Sequence, residues 1–361
     1  MALKKNIAVL PGDGVGPDVI AEAVKVIKTL NDIGLTEWNL TTFDYGAEHY
    51  LDTGIALPDE FITELEKKYD ALIMGPLGDP RVPNMAHARE IILTLRNKLD
   101  LYVNHRWIKI LHPDLYPLSR GNPENVDFHI FRESTEGAFI SAGGATYEHT
   151  QNEIAVQEML YTRKGVERII RYAFEYAVQQ DLKKITMADK SNVLRFTDGL
   201  WLRVFNELKK EYNSPGASHV YIDNLAYELL RSPDQFDVIV TTNLFGDILS
   251  EIGAAIQGGL GMAASGNYHP GEFGVFKPIH GSAPKFAGKN VVNPFGAILS
   301  VQLMFEYFNK PQMGTLVEDA VKQCLEHSLV TRDLDGSLGT QDVGDYMCQM
   351  IEKLYTAEKG K

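Results

Sequence analysis

Residues 238–251 read Val238-Ile239-Val240-Thr241-Thr242-Asn243-Leu244-Phe245-Gly246-Asp247-Ile248-Leu249-Ser250-Glu251. A short β-branched, apolar run predicts a buried strand, and apolar residues then recur at helical spacing. A strand passing straight into a helix is the unit from which α/β sheets are built. The helix is expected to open with Asp247 and Glu251, whose i, i+4 spacing puts both carboxylates on one face. Upstream, Asp223 follows another apolar run and offers a third carboxylate. Mg²⁺ and Mn²⁺ take oxygen ligands of this kind, and strand-to-helix junctions are where open α/β sheets keep their ligands. A solvated helical turn rich in acids fits the same letters. The pattern alone leaves both readings open.

Working outward, residues 7–10 read as a first strand, 11–17 as a Gly/Pro turn and 18–30 as a helix. Gly12, Gly14 and Gly16 do not make a dinucleotide fingerprint, because the spacing is wrong and Pro17 opens the helix. Further strands are expected at 71–74, 126–131 and 185–188, and helices at 90–101, 164–179 and 198–211. Residues 143–156 read as a hairpin or arm, and the Gly-rich run 258–262 as a crossover or hinge. This alternation predicts an α/β chain of two lobes, the size expected of 361 residues.

The formal net charge of −13 and the lack of any Lys/Arg run argue against a nucleic-acid partner. Cys324 and Cys348 have no zinc-ligand spacing and make no disulfide framework. No signal-peptide core precedes the first strand, and no apolar stretch approaches the ~18 residues of a membrane span. A cytoplasmic protein is expected.

Three groups of residues carry chemistry. Arg96, Arg106 and Arg132 stand on or at the ends of elements, and converging guanidinium forks would hold a di- or tricarboxylate. Taken singly, each is a surface ion-pair partner. Lys190, at the end of a strand, suits a base or proton relay if other charges lower its pKa, and otherwise a surface lysine. The loop from His280 to Asn293 is rich in Gly, Pro and Ser and unusually long, which points to a bound ligand. Small residues there permit close backbone approach, while His280 and Asn293 offer flat polar contacts to a base.

Together these stretches resemble the β-decarboxylating dehydrogenases, the isopropylmalate, isocitrate, homoisocitrate and tartrate/D-malate enzymes. The matching motifs are Pro11-Gly12-Asp13-Gly14-Val15-Gly16-Pro17, Leu95-Arg96 with Arg106, Arg132-Glu133, Asp189-Lys190-Ser191-Asn192, Gly246-Asp247-Ile248-Leu249-Ser250 and His280-Gly281-Ser282-Ala283-Pro284. The resemblance spans 7 to about 344 and implies an isopropylmalate dehydrogenase-like, two-lobed α/β fold on a large mixed sheet. It implies a cofactor-side lobe of 1–104 plus 258–361, and a dimerisation, substrate and metal lobe of 105–257 with an arm near 141–157. It further implies a homodimer with shared active sites, in which Lys190 and Asp223 cross to the partner's site.

By the same resemblance Arg96, Arg106 and Arg132 hold substrate carboxylates, and Ile92 and Leu93 face the substrate side chain. Lys190 and Asp223 are the catalytic pair, with Lys190 assisting proton transfer. Asp223, Asp247 and Glu251 bring Mg²⁺ or Mn²⁺. His280, Gly281, Ser282, Ala283, Lys285, Phe286 and Asn293 bind the adenosine part of NAD or NADP. The tartrate/D-malate branch looks nearest, in Tyr102-Val103-Asn104 and Thr150-Gln151-Asn152-Glu153 among other stretches. The implied activity is metal-dependent hydride transfer from a small 2-hydroxy di-acid to NAD(P). The alternatives are a 3-isopropylmalate dehydrogenase of leucine biosynthesis, or a catalytically weak paralogue that binds ligand or regulates.

The departures are specific. Phe139 stands where the family keeps a tyrosine that protonates the enolate carbon, a general-acid loss of roughly 10²–10⁴-fold. Glu251 replaces an aspartate, Lys277 a glutamate near the nicotinamide, and Trp107 a proline. Lys285-Phe286 replaces the Asp-Ile of NAD-using members, and a lysine there, helped by Arg332, favours the 2′-phosphate of NADP.

Overall fold

The computed structural model describes residues 2–359. Along the chain come β1 (Leu3–Leu10), α1 (Gly16–Asp32), β2 (Thr36–Thr42), α2 (Ala47–Thr53), α3 (Asp59–Lys68), β3 (Ala71–Met74) and α4 (Ala86–Lys98). Then follow β4 (Val103–Lys109), β5 (Asp127–Glu133), β6 (Gly143–Thr146), β7 (Ile154–Gln157), α5 (Arg163–Gln179), β8 (Lys184–Asp189) and α6 (Thr197–Leu208). The chain continues through β9 (Gly216–Tyr221), α7 (Ile222–Arg231), β10 (Val238–Thr241) and α8 (Asn243–Ile256). It closes with β11 (Ala264–His269), β12 (Phe273–Pro278), α9 (Phe295–Tyr307), α10 (Pro311–Glu326) and α11 (Thr340–Lys359).

The chain divides into two compact units. The first comprises residues 1–101, 110–117 and 254–361, the second 102–109 and 118–253. In the first the strand order is β2-β1-β3-β12-β11, all neighbours parallel except the antiparallel β11–β12 pair. In the second it is β4-β5-β10-β8-β9, antiparallel at β4–β5 and parallel beyond. Both units are thus mixed α/β.

The central strands β3 and β10 are buried along their whole length, as their unbroken apolar runs require of strands covered on both faces. Helix α9 is buried almost all round, from Phe295 to Phe305, and its sequence lacks a polar stripe accordingly. The first unit's core packs Leu10, Leu72 and Met74 of the strands against Phe61 and Leu65 of α3 and Ile91 and Leu95 of α4. The second is aromatic, with His105, His129, Phe131 and Tyr176 in mutual ring contact.

Helix α8 begins at Asn243, not at Asp247. The carboxylates therefore lie in its second and third turns, the first being closed by the hydrogen bond from Gly246 N to Thr242 O at 2.9 Å. The expected helix at 90–101 likewise starts earlier, at Ala86, and ends at Lys98. The arm is the antiparallel hairpin β6–β7, with every residue of both strands exposed. Among the described residues no helix is long and apolar enough to cross a membrane.

Candidate active site

In the second unit, antiparallel pairing sets Asn104 of β4 opposite Arg132 of β5 and Arg106 opposite Ile130. Arg106 is 7% exposed and Arg132 1%. Burying a guanidinium is costly unless its donors are met, and Arg132 is met thoroughly. Asn243 Oδ1 accepts from its Nε at 2.9 Å and from its Nη2 at 2.6 Å, and its Nη1 donates to Asp247. Asn243 is itself steered by its Nδ2, which donates to Glu136 O at 2.8 Å. Gly246 is required beside them, since a Cβ there would stand 2.6 Å from Arg132 Cβ. The Asn243-x-x-Gly246-Asp247 spacing is thus a cradle for one arginine.

Arg106 differs. Its Nε donates to Asn104 Oδ1 at 3.0 Å, but its buried Nη1 has no hydrogen-bond partner among the described residues. Burial and the neighbouring Arg132 charge push its pKa down to about 9, against the pull of Asp247 and Glu251. A buried cation with an idle donor is poised for an anion. The Phe139 ring lies 5.2 Å from the Arg132 guanidinium, an apolar surface that offers no proton. Beneath them, the buried Glu133 carboxylate accepts from the amides of Thr135 and Glu136 at 3.0 and 2.7 Å and braces the loop after β5.

Lys190 leaves the end of β8 and donates from Nζ to Asp223 Oδ1 at 2.5 Å, which holds that carboxyl below its ordinary range. Its backbone amide is fixed by Asp198 Oδ2 at 2.7 Å. Asp223 stands in the first turn of α7. Among the described residues no three His, Cys, Asp or Glu side chains are grouped closely enough to hold a metal ion. The expected set of Asp223, Asp247 and Glu251 is therefore not assembled within one chain. The resemblance had assigned Asp223 to the site of a second copy, so a single chain does not test the full set. Asp247 and Glu251 share one face of α8, half-buried and exposed respectively, so their oxygens suit two positions of a hard cation.

In the first unit, His280 Nδ1 lies 3.0 Å from Gly281 O, while its buried Nε2 has no partner among the described residues. Burial lowers its pKa below the ordinary imidazole value. Gly281, Lys285 and Phe286 are exposed, and Lys285 Nζ stands 4.8 Å over the Phe286 ring. Ser282 is buried, and Ala283 adopts a left-handed backbone with φ of 36°. Asn293 is not open to a base. Its Nδ2 donates to Asp333 Oδ2 at 3.1 Å and its Oδ1 accepts from Phe295 N at 2.9 Å, so it shapes the loop and the start of α9. Helix α4 carries Ile92, Leu93 and Arg96 partly buried, at spacings that share one helical face.

The sequence profile described as isocitrate/isopropylmalate dehydrogenase matches residues 6–347. The chain belongs to this family. It is 41% identical over 353 residues to the homoisocitrate dehydrogenase of Methanocaldococcus jannaschii, covering 96% of this chain and 98% of that one. It is 38% identical over 348 residues to the 3-isopropylmalate dehydrogenase of Thermobifida fusca, covering 96% and 97%. Among solved structures, the isocitrate dehydrogenase of Methylococcus capsulatus superposes with a TM-score of 0.85 at 32% identity, covering 97% of this chain and 99% of that one. As a family member the chain is a dehydrogenase of the metal- and NAD(P)-dependent kind. Homoisocitrate and 3-isopropylmalate, not tartrate, appear in the names of these relatives.

Asn243 and Asn104 were not singled out from sequence as functional. The signal was present in the Asn-x-x-Gly-Asp spacing, but it acquires meaning only when β5 lies beside β10.

Proposed function

We propose that this family member oxidises a small 2-hydroxy di-acid of the D-malate or tartrate type with NAD(P), using Mg²⁺ or Mn²⁺. The observation that carries the anionic substrate is the pair of buried guanidiniums, Arg106 with an idle donor and Arg132 tied to a carboxylate of the candidate metal face. Arg106 and Arg132 grip one substrate carboxylate, and Arg96 of α4 is, by the family resemblance, a further carboxylate ligand. Ile92 and Leu93 present an apolar wall to the substrate's side chain.

A divalent cation bound to the carboxylates would supply Lewis acidity that eases loss of the substrate's hydroxyl proton. Lys190, which donates from Nζ to Asp223, relays that proton, handing one to the Asp223 carboxylate as it takes up the substrate's. NAD(P), which Lys285 would help to hold, would supply the hydride acceptor. Phe139 supplies no acid beside Arg132, so oxidation and CO₂ release are separable here. Asp223 and Lys190 reach the carboxylates of α8 from a second copy of the chain, which also covers the exposed hairpin β6–β7; an isolated two-stranded hairpin is marginal in water. Lys285 takes the 2′-phosphate of NADP in preference to NAD.

The second reading is 3-isopropylmalate or homoisocitrate, favoured by the relatives' names, with the apolar Ile92 and Leu93 suiting the isopropyl group of the former only. A panel of D-malate, tartrate, 3-isopropylmalate, isocitrate and homoisocitrate, each with NAD and NADP and Mn²⁺, separates them. Turnover highest on D-malate or tartrate supports the first reading. Turnover confined to the longer acids replaces it by the second.

A further inference from the structure

The Pro11–Gly16 turn of the first unit is tied on both sides. Asp13 is buried, and its carboxylate is shared by three donors. Oδ1 accepts from Ala47 N at 2.7 Å, while Oδ2 accepts from Gly78 N at 2.7 Å and lies 2.9 Å from His87 Nε2. With the proton on Nε2 facing an anion, the His87 tautomer is set by its partner. His87 is 0% exposed and sits in the first turn of α4, directly after Asn84 and Met85, whose φ of 55° and 52° are left-handed. That backbone departs from the ordinary for non-glycine residues and needs outside support, which the Asp13–His87 bond gives.

On its other side the same turn touches the nucleotide loop. Val15 N donates to Ser282 O at 2.8 Å, and a Cβ on Gly14 would stand 2.1 Å from that oxygen. Gly14, with φ of +58°, thus brings backbone against backbone, with no side chain between to absorb movement. One rigid turn connects the loop holding Ser282 to the start of the helix holding Ile92, Leu93 and Arg96. From His87 to Arg96 is nine residues, about 13 Å of helix. A tilt of about 4° at the His87 end moves the Arg96 end by about 1 Å, enough to matter for alignment of reacting groups.

We propose that the Asp13–His87 pair is a positioning element that couples nucleotide binding at the Ser282 loop to placement of the substrate-facing side chains of α4. Neither residue touches substrate in this scheme. The inference rests on the functional reading above, in which the Ser282 loop takes the nucleotide and α4 faces the substrate. Coupling of this kind is reciprocal, so substrate must tighten nucleotide by the same factor.

The test titrates NADPH and NADH by fluorescence in the presence of Mg²⁺, with and without D-malate or 3-isopropylmalate, reduced nucleotide and hydroxy acid forming an unreactive ternary complex. Wild type is expected to show coupling of about fivefold or more. His87→Leu should bring the factor close to one while leaving each separate affinity within about twofold, and His87→Gln, which keeps a donor at the Nε2 position, should restore it. Hydrogen exchange of the wild type provides a reading that needs no variant: NADPH alone should slow exchange at the Gly78 amide and through α4. Nucleotide binding with coupling that His87→Leu leaves intact, or with no protection in α4, overturns the inference alone. Failure of either nucleotide to bind at all overturns the functional reading and the inference together.

Discussion

His105 Nε2 and His129 Nδ1 lie 2.9 Å apart on the paired strands β4 and β5, both rings enclosed by Phe131 and Tyr176. Burial holds both rings neutral, His129 down to about 3 and His105 well below its ordinary value. In the unfolded chain both titrate near 6.5. A base whose folded pKa is depressed contributes stability that is complete above 6.5 and is lost as pH falls towards the folded value. At pH 5 the loss from His129 alone is about 2 kcal/mol. Urea midpoints measured from pH 8 to 5 should be nearly level above 7 and fall below 6.5. A His105→Phe/His129→Leu double variant should flatten that fall; an unchanged slope would remove the pair as its source.

Asn243→Ala withdraws the oxygen that accepts two guanidinium donors of Arg132. Hydrogen bonds to charged groups contribute about 1.5–3 kcal/mol each, so with two of them a stability loss of about 3 kcal/mol or more is expected. The freed guanidinium also loses its aim, and kcat/KM should drop by about tenfold or more, chiefly through KM. Calorimetry and steady-state kinetics check the two effects separately.

Asp247→Ala removes a candidate cation ligand and the carboxylate bonded to Arg132. Turnover dependent on Mn²⁺ should fall by about 10²-fold or more, and chelation of the wild type should produce a comparable loss. Activity that survives both treatments would mean that α8 holds no catalytic cation.

Phe139→Tyr places a phenol beside the Arg132 guanidinium, where the ring now lies 5.2 Å away. In the wild type NAD(P)H formation is expected to outrun CO₂ release, with keto acid accumulating. The tyrosine should bring the two rates together, an acid contribution of roughly 10²–10⁴-fold. Equal rates already in the wild type would show that another group donates the proton.

Lys285→Asp exchanges an exposed cation for a carboxylate that repels a 2′-phosphate and accepts from ribose hydroxyls. The ratio of kcat/KM for NADP to that for NAD should fall by about 10- to 100-fold. A ratio that does not move would place recognition of the 2′ position elsewhere.

Much of this molecule was legible before its structure. The apolar runs of β3 and β10 are continuous because both faces of such strands are covered, and that continuity survives in the letters. Arg106 and Arg132 were marked out by the resemblance, whereas their residue type alone fits a surface ion pair; the structure shows both buried. Helix starts were less legible. Helix α8 begins at Asn243 because Asn243 is held by Arg132, 111 residues earlier in the chain.

Local sequence determined the α/β alternation, the family and the chemical character of each candidate group, since periodicity and residue type are properties of neighbouring residues. Only the tertiary structure decided which groups share a place. It set Asn243 under Arg132, turned Asn293 inward to Asp333, tied Asp13 to His87, and left Asp223 with Lys190 away from the α8 carboxylates. Those pairings depend on strand order and on burial, which raises the cost of every unmet polar atom, and neither is written in any short stretch of the chain.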